Sequence, residues 1–149
     1  MTRKDKPRRP SAGARRTGYV ISALLNGLLL VAVNGWPGWE AVPFLTGATL
    51  QVLGVVNLSL VVSLVTSLLY LGYDPEWFTA LGGLATVGTG LVSTIRLWQV
   101  FPFDFGGYSF DWPVVLRVLL IIGIAGSVIG ALVQLGTLLR AATRRTRRA

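Results

Sequence analysis

Hydrophobic positions come in long unbroken runs, separated by short clusters of turn formers. The clusters lie at Pro37-Gly-Trp-Glu-Ala-Val-Pro43, at Tyr73-Asp-Pro-Glu76 and along the aromatic stretch from Phe101 to Trp112. They leave four apolar segments, 18–36, 44–71, 77–100 and 113–139. Each is at or above the roughly 20 helical residues needed to cross about 30 Å of hydrocarbon. The expected fold is therefore an all-α membrane protein, a bundle of four transmembrane helices, with the long second span tilted or protruding.

Within the spans, small and polar residues recur at steps of three and four. The third span carries Thr79, Gly82, Thr86, Thr89, Ser93 and Arg96 with Gly90 beside them, and the fourth carries Gly123, Ser127, Gly130, Gln134 and Thr137. The second carries Gly47, Gln51 and Gly54. Such faces turn toward protein, because small residues let helix backbones approach where dispersion and interhelical hydrogen bonds replace the hydrophobic drive. The alternative is a polar groove for a lipid or small solute, lined by Asn26, Gln51 and Asn57.

Composition narrows the chemistry. The 149 residues are 52% hydrophobic and 13% charged, well short of the roughly one quarter charged that a soluble domain carries. With neither cysteine nor histidine, disulfides, thiolate metal sites and Ser-His or Cys-His catalysis are excluded. Asp74-Pro75-Glu76 reads as an N-cap, a proline at the first helical position and an acid in the first turn. No carboxylate lies near a span centre, which argues against proton-coupled transport.

The net charge of +8 sits in the tails: twelve of the fourteen basic residues fall within 1–17 and 140–149. Spread over a folded face, it would suggest nucleic acid; flanking apolar spans, it puts both termini in the cytoplasm. The two tails, 1–17 and 140–149, are expected to be disordered and held near anionic lipids. The basic start followed by an apolar run is read as a retained first span, since no good A-x-A cleavage site follows. The fifteen aromatics agree with this topology. Tyr19, Tyr70, Tyr73, Trp77 and Phe78 fall at the inner boundary and the other ten at the outer one, as two interfacial belts.

The outer side holds the candidate site. Arg96 and Arg117 lie about a turn inside the outer boundary, and Glu40, Asp104 and Asp111 are the only acids on that side. They are expected to form an outer Arg-carboxylate cluster that locks loops to helices. Phe101, Phe103 and Phe105, then Gly106-Gly107, then Tyr108, Phe110 and Trp112 show a period of two on both sides of a two-glycine turn. This predicts a short outer-face β-hairpin, or an aromatic loop, with Phe105 opposite Tyr108, Phe103 opposite Phe110 and Phe101 opposite Trp112.

The segments Trp36–Thr46, Val56–Leu60, Tyr73–Phe78 and Phe101–Phe105 resemble those of small uncharacterised four-span bacterial integral membrane proteins. That resemblance implies a fold and a cell-membrane location, and carries no activity, cofactor or site residue. The expected function is that of a non-enzymatic multi-pass membrane protein without cofactor or metal. It would be an accessory or scaffold subunit meeting a membrane-protein partner, or a second copy of itself, through the outer aromatic surface and charge cluster. Two alternatives stand beside it: a lipid or small-solute binding protein, and an intramembrane aspartic hydrolase using Asp104 and Asp111. The latter is similar in outline to the bacterial lipoprotein signal peptidases, although Phe-Pro-Phe-Asp-Phe and Ser-Phe-Asp-Trp lack that family's asparagine, arginine and alanine contexts around the aspartates.

Overall fold

A computed structural model of the chain describes residues 9–107 and 109–146, the last three by backbone alone. Its helices are α1 (Ala12–Asn34), α2 (Leu50–Gly72), α3 (Glu76–Val100) and α4 (Trp112–Thr146). Single 3₁₀ turns at Trp39–Ala41 and Gly47–Thr49 shape the first loop. All four helices are long and apolar enough to cross a membrane.

The helices lie in chain order, each antiparallel to the last, α1 on α2, α2 on α3 and α3 on α4. Cross-helix pairs fix the register. Ser67 Oγ donates to Ser22 Oγ at 2.8 Å, the Asn34 and Asn57 amides exchange two bonds of 2.8 and 2.7 Å, and Ser93 Oγ donates to the Val55 carbonyl at 2.7 Å. A Cβ on Gly123 would touch the Thr94 methyl and one on Gly130 would touch Val87, each at 3.5 Å, which runs α4 back along α3. α1 and α4 make no more than marginal contact, so the four helices form a curved layer rather than a closed ring. One end, the tail end, gathers the start of α1, the α2–α3 turn and the end of α4. The other, the cap end, carries both longer loops.

Burial is inverted relative to a soluble protein. The buried residues are small or hydroxyl-bearing: Ala23, Ala80, Val52, Thr49, Ser67 and Ser93, with Pro102 in the cap. Large aliphatic side chains point outward, Leu28 at 65% exposure and Ile129 at 62% among them. Water would penalise that arrangement and hydrocarbon would not.

Several boundaries differ from the sequence reading. α1 begins at Ala12, so residues 12–17 are helix rather than disordered tail. Ser11 caps the helix by accepting the Ala14 N–H at 3.3 Å, and the Arg15 guanidinium donates to both the Pro10 carbonyl and the Asp74 carboxylate. Likewise α4 runs past Leu139 to Thr146, because the basic segment is a good helix former with no breaker. α2 starts at Leu50, later than Phe44, since Phe44–Thr46 are drawn into the cap.

No β-hairpin forms among the described residues; Tyr108, one of its expected members, lies outside them. Phe103 makes an isolated antiparallel bridge with Leu45 of the first loop. The Thr46 N–H donates to the Pro102 carbonyl at 3.0 Å and the Asp104 N–H to the Phe44 carbonyl at 2.9 Å. Phe101 ends α3 in the left-handed region, at φ 43°, and that turn drives Pro102 into the protein beside the first loop. The extended stretch therefore pairs with a segment almost sixty residues away rather than with its own continuation.

Candidate functional site

The cap end carries the aromatic surface expected from the sequence, in a different arrangement. Phe101 meets Phe103 edge-on at 5.3 Å, Phe103 stacks on Phe105 at 6.2 Å, and Phe105 lies 5.3 Å from Phe44 and 6.3 Å from Trp112. Phe110 meets Trp112 edge-on at 5.2 Å. The chain of rings is thus continuous across both loops. Of the expected pairings, Phe103 with Phe110 and Phe101 with Trp112 are not ring contacts, and Tyr108 lies outside the described residues.

The charged residues of the cap are not brought together as a cluster. Among the described residues no ion pair within 4.0 Å joins Arg96 or Arg117 to Glu40, Asp104 or Asp111. The Arg117 guanidinium stands over aromatic faces instead, 5.0 Å from the Phe101 ring centre and 5.8 Å from that of Trp98. An arginine over a ring finds its counter-charge in the ring quadrupole. The two aspartates are used locally. Asp104 Oδ1 accepts the Gly106 N–H at 3.0 Å in a tight turn, and Asp111 Oδ1 accepts the Val114 N–H at 3.5 Å at the start of α4. Each carboxylate serves its own turn, and no bond links them. Glu40 and Arg96 are exposed.

The ion pair that forms among the described residues lies at the tail end. Arg15 Nε donates to Asp74 Oδ2 at 2.8 Å, and the Arg9 guanidinium donates to the Asp74 carbonyl at 2.9 Å. Asp74 is therefore not the cap of α3: Pro75 takes the N-cap position, without a side-chain bond, and Glu76 is the first helical residue. The Arg15 hydrogen bond holds the Asp74 carboxyl below the usual carboxylate range, assisted by the positive charges of Arg9 and Arg16. Helix spacing could not reveal a pair 59 residues apart. A usable signal existed in charge alone, since Asp74 and Glu76 are the only acids in a turn that faces a basic segment.

The third feature is a cleft of about 450 Å³ in the tail-end half of the layer, walled by all four helices and lined by no charged side chain among the described residues. α1 contributes Ser22 and Asn26, α2 the Ser63–Tyr70 face, α3 Thr79 to Val87, and α4 Gln134. Of the small polar faces expected on α3 and α4, Thr79, Thr86 and Gln134 line it, and Asn26 joins them. Asn57 and Gln51 do not line it; Asn57 is engaged with Asn34 near the cap. Glycine decides how closely the walls approach. A Cβ on Gly83 would stand 2.5 Å from the Gln134 amide nitrogen, and one on Gly82 would collide with the Tyr70 hydroxyl. Gly47, Gly54 and Gly90, by contrast, face open space and mark no close approach.

Comparison with protein-family models, with curated proteins and with solved structures returned no match, so function is argued from this geometry alone.

Proposed function

We propose that this chain is a non-enzymatic integral membrane protein, an accessory or scaffold subunit that meets another membrane protein, or a second copy of itself, through its cap. The supporting observation is the interlocking of the two cap loops. Backbone bonds between Phe44–Thr46 and Pro102–Asp104 hold a continuous line of rings in place, and Phe110 and Trp112 remain exposed at 59% and 42%. A preorganised aromatic surface loses little entropy on binding, and aromatic anchors carry much of the energy of known interfaces. The inverted burial favours a lipid surround. The basic tails favour both termini in the cytoplasm, among anionic lipids, with the cap on the outer side of the cell membrane.

A photo-crosslinking residue in place of Phe110, activated in intact cells, tests the reading. A discrete protein adduct that weakens when Trp112 is changed to Ala is the expected result. Adducts to lipid alone would remove the cap as a contact surface.

A further inference from the structure

The hydroxyl-lined cleft at the tail end has no part in the cap reading, and its chemistry is specific. Most hydroxyls on its walls are already donors. Ser67 bonds the Ser63 carbonyl at 2.7 Å and Thr66 the Val62 carbonyl at 2.8 Å, while the Asn26 NH₂ bonds the Ser22 carbonyl at 2.8 Å. What remains is the hydroxyl lone pairs and Asn26 Oδ1 as acceptors, the Ser22 and Ser63 hydroxyls, neither of which donates to a described residue, and the whole Gln134 amide, which makes no hydrogen bond among the described residues. Gln134 is half-buried, and the glycine opposite it leaves room for its amide to sit in the cleft. Hydrocarbon offers such groups nothing, and leaving them bare in a bilayer is costly.

We propose that the cleft binds an uncharged polyol group. Vicinal hydroxyls both donate and accept, and so match walls that offer many acceptors together with the Ser22 and Ser63 hydroxyls and the Gln134 amide. No described lining side chain is charged, so within those walls phosphates and carboxylates would enter without a counter-ion. The volume lies within the roughly 300–1,000 Å³ of known ligand sites. Tyr19 and Tyr70, whose rings lie 5.2 Å apart, offer aromatic faces to the C–H side of a polyol. Because α1 and α4 do not close on one another, the same chemistry has two sources: a free sugar entering from the tail end, or a sugar headgroup entering sideways from the lipid. The proposal needs the membrane reading and is independent of the cap.

The full chain in phosphatidylcholine nanodiscs is titrated with free galactose, with monogalactosyl diacylglycerol and with phosphatidylserine, following the unfolding midpoint. A concentration-dependent rise with galactose assigns a soluble polyol; a rise with the galactolipid alone assigns a headgroup. In either case Gln134→Leu, which removes the free amide, and Gly83→Ala, whose methyl displaces it, should weaken the apparent Kd by at least about tenfold, the loss expected when a buried hydrogen bond goes unmade. Asn26→Leu serves as a third variant if either fails to fold, and Trp112→Ala in the cap should leave the titration unchanged. The proposal is overturned if neither galactose nor galactolipid raises the midpoint, if phosphatidylserine raises it equally, or if the folded cleft variants titrate like the parent.

Discussion

Arg117 and Arg96 look alike in the sequence, as lone arginines near the ends of apolar runs, yet they occupy different environments. Arg117 has two rings beneath its guanidinium and Arg96 has no ion pair or hydrogen bond with the described residues. Arg117→Leu should therefore lower stability by about 0.5–1 kcal/mol, the value of an exposed cation–π contact. Arg96→Leu should stay within about 0.5 kcal/mol of the parent. Thermal unfolding of the two variants in one detergent checks the contrast, and equal losses would mean that the rings do not hold Arg117. Asp74 offers a different kind of test, through pH. Its carboxyl is held below the usual range by Arg15, so the folded state prefers the ionised form. The stability this supplies is complete above the unfolded carboxyl's pKa and disappears as pH falls through the lower, folded value. Asp74→Asn should accordingly melt below the parent at neutral pH, and the two curves should converge in acid. A gap that persists unchanged in acid would assign Asp74 a packing role instead.

The helices themselves were legible from apolar run length and turn formers, because a bilayer crossing demands both. Their ends were less so: Ser11 and the anchoring of Arg15 extend α1 into a segment whose composition reads as solvated tail. The cap shows why a period of two is an incomplete signal. Alternation says that a stretch is extended, and a Gly-Gly turn says that it can fold back, but neither names the partner strand. The left-handed Phe101 and the buried Pro102 direct the stretch toward Leu45, a choice only tertiary packing makes. The glycines of α3 illustrate the same limit. Gly82 and Gly83 face Tyr70 and Gln134 across closely approaching helices, whereas Gly88 and Gly90 face open space, although Gly82 and Gly90 belong to one small-residue pattern. Gly82→Ala should cost about 1–3 kcal/mol, as overpacking does, because the Tyr70 hydroxyl it would strike is tied at 2.9 Å to the Thr79 carbonyl. Gly88→Ala should be neutral, or stabilising by up to about 1 kcal/mol through lost unfolded-state entropy. Unfolding midpoints in detergent separate the two, and equal effects would mean that α2 and α3 do not approach as described.

Considered as a whole, the molecule is a layer of four antiparallel helices whose chemical asymmetry runs along the helix axes rather than between its faces. Twelve of fourteen basic residues belong to the two chain ends, and the start of α1 and the end of α4 lie at the same end of the layer. The α2–α3 turn joins them there through Asp74, while the cap end carries Glu40, Asp104 and Asp111 exposed. Translocating a basic segment is the least favourable step in inserting such a chain, so the tail end should stay in the cytoplasm and the cap should cross. This can be read directly, because the chain has no cysteine of its own. Single cysteines at Ser11 and Thr143, both exposed, should resist an impermeant thiol reagent in intact cells and react once the membrane is opened. Cysteines at Glu40 and Gly107, exposed in the two cap loops, should react from outside without permeabilisation. Both cap positions must label together, since Phe44–Thr46 and Pro102–Asp104 are bonded into one cap. Labelling of Ser11 or Thr143 from outside would reverse the orientation. Labelling of only one cap loop would break the four-span topology itself.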